Sequence, residues 1–247
     1  MLISVEEMNE IFDIKPNGVL HIGAHLAEES TVYERFGWVP VIWIEANPSL
    51  VRIIKKELHP SRHTIIEAAI SDIHGRKEDF YLSNNSQSSS LLKMNLHKKY
   101  YKNIKYIDKL ELITSRIDKL LSVYDIPNFI NLDIQGMEMK ALKSFGNYLD
   151  KVDYIYSEVN KKELYLGCNL LGEIDIFLEK NGFKRVASRF HLLQGWGDAL
   201  YIRKEIYDKL PLTKKIKWKF MQLWFYYFYT LNQFSSLVES LKRRLLV

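Results

Sequence analysis

Short apolar runs alternate with helical patterns along most of the chain. An opening helix is predicted over Val5–Ile14, stopped by the turn cluster Lys15-Pro16-Asn17-Gly18. The run Val19–Ile22 then ends in Gly23-Ala24, and a helical pattern follows to about Phe36. Val39–Ile44 is a second run ending in Glu45, after which Asn47-Pro48 starts a helix reaching Leu58. Thr64–Ile70 reads as a third strand, closed by Ser71-Asp72 and a turn at Gly75. Fully apolar strands separated by helices indicate a parallel sheet covered on both faces.

The middle is less regular. Asp79–Leu82 and Glu111–Thr114 read as short strands, and Ile117–Tyr124 as a short helix. Between the two strands, the polar stretch Ser83–Ser90 is of the kind that covers or lines a site. Alternation resumes with strand Phe129–Ile134, which carries Asp133 at its end, and helix Met137–Phe145, closed by Gly146. Strand Val152–Val159 carries Glu158 at its end, and helix Leu171–Lys180 is closed by Asn181-Gly182. Strands Phe183–Ser188 and Asp198–Arg203 have no helix between them, so they form an antiparallel pair at one sheet edge. There are no internal repeats.

Charge sharpens this division. The net charge of +5 arises in residues 211–247, which carry seven basic groups and one acid; the other 210 residues have a net charge of −1. A neutral body argues against a nucleic-acid substrate. The single cysteine, Cys168, cannot form an internal disulfide, and the N-terminal sequence has no signal-peptide pattern. A reducing, cytoplasmic setting is expected. The chain therefore divides into a catalytic domain, 1–210, and a basic, aromatic-rich helical tail, 211–247.

The strongest chemical signal is Val19–Ser30 (VLHIGAHLAEES) followed about 20 residues later by Glu45. A glycine directly after the first strand permits a tight turn, and the next helix offers unpaired N–H groups. A carboxylate at the end of the second strand can accept hydrogen bonds from both ribose hydroxyls of an adenosine. The bland alternative is an ordinary strand-turn-helix corner beside a surface glutamate. A nicotinamide dinucleotide would call for Gly-x-Gly-x-x-Gly to cradle its pyrophosphate. Only Gly23 is present, which suits a nucleoside without phosphate such as S-adenosylmethionine.

The segments VLHIGAHLAEES, VIWIEANP, AAISDIHG, SSSLL, SRIDKLL, FINLDIQGMEMKALKSFG, YIYSEVN and WGDALYIRK, in this order, resemble an FkbM-type methyltransferase. The resemblance covers about residues 17–204. It implies a class I (Rossmann-like) methyltransferase fold, S-adenosylmethionine as donor, and O-methylation of hydroxyls on sugars or secondary metabolites. Two positions depart from the family pattern: Ala27 stands where a second glycine is common, and Gln135 where a glutamate is usual. They motivate an alternative, a catalytically silent cofactor-binding module acting through its tail.

Gly23, Ala24, His25, Glu45, Ala46, Ala69, Ser89 and Asp133 are thus expected at the donor, and Asp133, Glu158 and His25 in catalysis. Asp133 is the first candidate for orienting or deprotonating a hydroxyl; its structural alternative is a cap on the helix after Gly136. His25 is equally a polar residue starting a helix. Glu158 shares the Asp133 site, but two neighbouring carboxylates are weak evidence for a metal, and none is expected. His191, with Trp196-Gly197-Asp198, is expected in a loop at the rim of the acceptor pocket, and His21 as a packed side chain.

In the tail, Phe220, Trp224, Tyr227, Leu231, Phe234, Val238, Leu241 and Leu245 follow steps of four and three, a heptad seam. The run Leu223–Tyr229 is apolar all round, with lysines before it and Lys242-Arg243-Arg244 after it. Three readings stand: a helix lying on an anionic membrane surface, a homodimer seam, and packing onto its own domain. The apolar stretch is too short to span a membrane.

Overall fold

The computed structural model describes residues 1–121, 126–191, 193–221 and 223. Ten strands lie in two sheets. The large sheet contains β1 (Val19–Ile22), β2 (Val41–Glu45), β3 (His63–Glu67), β7 (Phe129–Leu132), β8 (Tyr154–Asn160), β9 (Phe183–Phe190) and β10 (Trp196–Arg203). Their spatial order is β3-β2-β1-β7-β8-β10-β9. A small sheet joins β4 (Ala69–Ile70), β5 (Lys77–Ser83) and β6 (Tyr106–Ser115) in the order β4-β6-β5. The helices are α1 (Val5–Phe12), α2 (Ser30–Arg35), α3 (Pro48–Glu57), α4 (His97–Tyr100), α5 (Ile117–Leu120), α6 (Glu138–Ser144), α7 (Leu171–Lys180) and α8 (Lys204–Lys209).

The apolar runs become strands because both of their faces are covered. Leu20, Ile22, Ile42, Ile44, Ile130, Leu132 and Ile155 pack on one face with α5, α6 and α7. Val19, Val41, Trp43, Phe129, Tyr154 and Tyr156 pack on the other, with Val5, Met8, Ile11 and Phe12 of α1 and Tyr33 of α2. Neighbouring residues on one strand thus fall in different clusters, which is why these strands carry no polar alternation.

The expected edge pair forms, but by insertion. Strand β10 enters between β8 and β9 and runs antiparallel to both. The predicted strand Thr64–Ile70 divides at Ala68, whose N–H donates to the Glu45 carbonyl at 3.0 Å. Beyond that point Ala69–Ile70 leaves the large sheet and pairs parallel with β6. The predicted helix after Gly23-Ala24 begins only at Ser30, because His25 (φ 49°) and Ala27 (φ 55°) take left-handed conformations that no helix accepts. The end of the predicted helix Ile117–Tyr124 lies outside the described residues.

Chain order reverses between β1 and β7, the point where open sheets of this kind bind ligands. Register then sets one row across the C-terminal strand ends. Ile22 pairs with Ile44 and Leu132, and Leu132 with Ser157. The following residues, Glu45, Gly23, Asp133 and Glu158, stand side by side, and Glu158 pairs with Asp198.

Past α8, residues 212–221 are helical and return to the body. Trp218 is buried against Phe12, with ring centroids 6.0 Å apart, and the Arg189 guanidinium lies over its ring. Lys217 pairs with Glu10 of α1. Most of the predicted heptad seam and the closing basic cluster lie outside the described residues. Among the described residues, no helix is long and apolar enough to cross a membrane.

Candidate active site

The row of strand ends opens into a cleft of about 560 Å³. Every residue expected at the donor or in catalysis lines it: Gly23, Ala24, His25, Glu45, Ala46, Ala69, Ser89, Asp133 and Glu158. The polar stretch after β5 supplies a wall from Asn85 to Leu91.

Glu45 is fixed from its own side of the cleft. Its Oε1 accepts the Asn47 N–H at 2.8 Å and its Oε2 the His25 N–H at 2.9 Å. Burial raises its pKa above the usual carboxylate value, against the lowering effect of those amides. Each oxygen retains a lone pair for a ligand hydroxyl. Gly23, at φ 92°, holds the turn beside it; a Cβ there would sit 1.8 Å from the Asp133 carbonyl oxygen. The glycine is therefore required by the neighbouring strand end as well as by its left-handed backbone. Ala27 occupies the same region of backbone space, which accounts for the glycine that the family pattern favours there. Its left-handed backbone costs about 1–2 kcal/mol, partly offset by about 0.8 kcal/mol from the buried methyl.

His25 bridges two side chains across the cleft mouth. Its Nδ1 lies 2.7 Å from Glu28 Oε1 and its Nε2 2.7 Å from Ser86 Oγ, so both ring nitrogens are used. The residue clasps the first loop to the 85–91 wall, and only its backbone N–H serves Glu45 directly. That N–H comes from the turn and not, as the sequence suggests, from a helix start.

Asp133 does not cap the following helix. The loop amides of Ile134 and Gly136 donate instead to Glu138 Oε1, both at 3.1 Å. Glu138 is buried, which raises it to about 7, with the charge of Asp133 adding to the shift. Asp133 faces Gln135, whose Nε2 donates to Asp133 Oδ1 at 2.8 Å and to Glu158 Oε2 at 2.6 Å. The Tyr165 hydroxyl donates to Gln135 Oε1 at 2.7 Å, fixing which end of the amide meets the carboxylates. Burial, then the charges of Asp133 and Glu138, push Glu158 well above the ordinary carboxylate range, which favours its protonated form. Asp198, raised to about 6 by burial, accepts from the Leu2 N–H at 2.5 Å and from the Tyr156 hydroxyl.

Other lining residues escape sequence reasoning. His97, Tyr101, Ile104, Leu164 and Tyr165 form a wall opposite Glu45's end of the row, together with Trp196. Tyr101 donates to Gln194 Oε1 at 2.7 Å and accepts from Trp196 Nε1 at 2.8 Å. Trp196 and Asp198 line the cleft as expected, but from within β10. His191 is not a lining residue; its ring stacks on Trp196 at 4.3 Å. His21 is packed as expected, 4.8 Å from the Trp43 ring, and also reaches the cleft floor. Burial lowers it to about 4, so it is neutral at pH 7. Among the described residues, no group of three or more His, Cys, Asp or Glu side chains is arranged to hold a metal ion.

A family model, the methyltransferase FkbM domain, matches residues 21–185. No curated protein sequence matches the chain. Among solved structures, the magnesium protoporphyrin IX methyltransferase of Synechocystis PCC 6803, with bound SAM, is 11% identical at a TM-score of 0.43. That likeness covers 75% of this chain and 69% of the other. The ribosomal protein L11 methylase from Lactobacillus delbrueckii subsp. bulgaricus is 10% identical at 0.45, covering 77% of this chain and 72% of that one. Precorrin-6y C5,15-methyltransferase from Geobacter metallireducens GS-15 is 11% identical at 0.44, covering 78% and 83%.

Proposed function

The chain belongs to the FkbM methyltransferase family and has the class I methyltransferase fold, and on that premise we propose that it transfers a methyl group from S-adenosylmethionine to a hydroxyl of a saccharide or glycoconjugate. The observation that carries this reading is Glu45: a buried carboxylate held by two backbone amides at the end of β2, facing the cleft beside Gly23. In this reading Glu45 holds the ribose hydroxyls, Gly23 and Ala24 give the backbone room, and Ala46, Ala69 and Ser89 bound the nucleoside. Among the described residues, the cleft is lined by Glu28, Glu29, Glu45, Asp133, Glu158 and Asp198 and by no lysine or arginine, a setting that suits a sulfonium cation.

The donor, when bound, supplies an electrophilic methyl on a positively charged sulfur. What the protein must add is alignment and a place for the hydroxyl proton. Asp133 is the acceptor for that proton. Gln135 holds its carboxylate in place, and the burial that raises Glu158 well above the ordinary carboxylate range disfavours a second negative charge beside it. Tyr165 keeps the Gln135 amide from turning over. His25, with both nitrogens engaged, closes the donor side.

Calorimetric titration with S-adenosylhomocysteine tests the donor site. The unaltered protein is expected to bind it, and Glu45→Ala to bind at least about tenfold more weakly through loss of charge-assisted hydrogen bonds. Asp133→Asn should bind the same ligand unchanged, yet methylate any accepted saccharide about 10²–10⁴-fold more slowly. Failure of the unaltered protein to bind S-adenosylhomocysteine would overturn the assignment.

A further inference from the structure

The body's near-zero charge conceals a separation of charge around the cleft. Residues 80–107 contain five lysines, Lys93, Lys98, Lys99, Lys102 and Lys105, and no acidic residue. Those lysines interleave with the residues that line the wall opposite Glu45's end: Lys98 and Lys99 follow His97, Lys102 follows Tyr101, and Lys105 follows Ile104. Lys161 and Lys162 join them from the end of β8. Lys162 Nζ donates to the Tyr100 hydroxyl at 2.9 Å, and Gly195, beside Trp196, packs on its stem. All seven side chains are exposed, and none has a carboxylate partner among the described residues. Glu163, the acid nearest in sequence, is taken by the Asn95 side chain and the Gly167 N–H.

Inside the same wall, His97 is 95% buried, and among the described residues its buried Nδ1 has no hydrogen-bond partner. Its ring stands 4.8 Å from Tyr101 and 5.3 Å from Tyr165. A buried imidazole nitrogen left without a partner beside a cleft calls for a polar ligand.

We infer that the acceptor is an anionic saccharide, bearing a phosphate or a carboxylate, whose ring seats on the His97–Tyr101–Trp196 wall while its charged group stays at the lysine rim. The inference rests on the proposed methyl transfer and names its acceptor class. Charge gives the acceptor a direction: the ionised carboxylates inside the cleft repel the anionic group, the rim attracts it, and an uncharged hydroxyl is left pointing inward. The two substrates then carry opposite charges and are drawn to opposite ends of one cleft.

The test uses full-length protein saturated with S-adenosylhomocysteine, titrated with methyl glucoside, glucuronic acid and glucose 1-phosphate and followed by NMR. At about 20 mM salt an anionic probe is expected to bind roughly tenfold tighter than methyl glucoside, with most of that margin lost at about 300 mM. The stronger of the two anionic probes tells carboxylate from phosphate. A triple variant, Lys98→Glu with Lys99→Glu and Lys102→Glu, should erase the margin while binding S-adenosylhomocysteine unchanged. Lys55→Glu with Lys56→Glu, on α3, should alter neither. His97→Phe should weaken all three sugars and spare S-adenosylhomocysteine. The inference is overturned if no probe binds, if methyl glucoside binds as tightly as the charged sugars, or if the triple variant keeps the margin. It is also overturned if a short single-stranded oligonucleotide binds in their place and is lost in the triple variant. Absence of S-adenosylhomocysteine binding to the unaltered protein is a different result, and defeats the methyltransferase assignment itself.

Discussion

At Gln135 one amide serves three neighbours: two carboxylates take its N–H groups, and a tyrosine hydroxyl gives to its oxygen. The sequence marks this position as a departure from the family and suggests lost function. The geometry gives it a purpose, because a glutamate here would put a further acid between Asp133 and Glu158 with Glu138 close behind. Gln135→Glu is therefore expected to destabilise the fold in a pH-dependent way. The new carboxyl, surrounded by acids, would titrate above its unfolded value of about 4.3. Below that value it is protonated in both states and costs little; as pH rises through its folded value, stability is lost. Urea midpoints should show a deficit against the parent that is larger at pH 8 than at pH 5 by about 2 kcal/mol. An equal deficit at both pH values would mean that Gln135 acts by shape alone.

Among elements, the final described helix carries more of the structure than its composition suggests. Its sequence reads as a basic, aromatic tail, yet Trp218 completes the cluster beneath α1. Trp218→Ala should cost about 3 kcal/mol, whereas Phe220→Ala, at a ring that is 67% exposed, should stay within about 0.5 kcal/mol. Chemical denaturation of the two variants compares them directly; equal effects would show that the helix does not dock in solution. The same contrast explains what the sequence reveals. Strands β1, β2, β7 and β8 are buried on both faces, so continuous apolar runs announce them, and Glu45, Asp133 and Glu158 follow as the polar residues at or beside their ends. Strand β6 is longer than its apolar segment implies, because much of it is exposed and carries Asp108, Lys109 and Glu111. Ala69 sits at a break that periodicity cannot see, since the chain changes sheets without a turn residue. The opposite wall of the cleft was hidden for another reason, Trp196 apart: His97, Tyr101 and Tyr165 come from separate segments and meet only in the fold. One local signal did exist there, five lysines in 28 residues without an acid, but averaging charge over the whole body erased it.

For the whole molecule, the buried ionisable groups set a pH profile of stability. Glu138 at about 7 and Asp198 at about 6 lie above their unfolded values, and Glu158 is raised further in the same direction. Between pH 4 and 7 such acids bind more protons folded than unfolded, so the stability they contribute is full at low pH and lost as pH rises through the folded values. His21 works the other way: at about 4 in the fold it is neutral when the unfolded imidazole is charged, so its contribution is lost as pH falls from about 6.5. The acids that burial raises, Glu29 and Glu45 among them, outnumber the histidines that it lowers, His97 and His191 included. Without ligand, the fold should be more stable at pH 5 than at pH 8, on the order of 2 kcal/mol in urea titration. Glu138→Gln removes the carboxyl that burial raises to about 7 while keeping an oxygen for the Ile134 and Gly136 amides. The variant should match the parent near pH 5, exceed it at pH 8 by about 1–2 kcal/mol, and flatten the profile. Should the parent instead be most stable at pH 8, the acids in the row would be ionised without penalty, and burial would not disfavour a second charge beside Asp133.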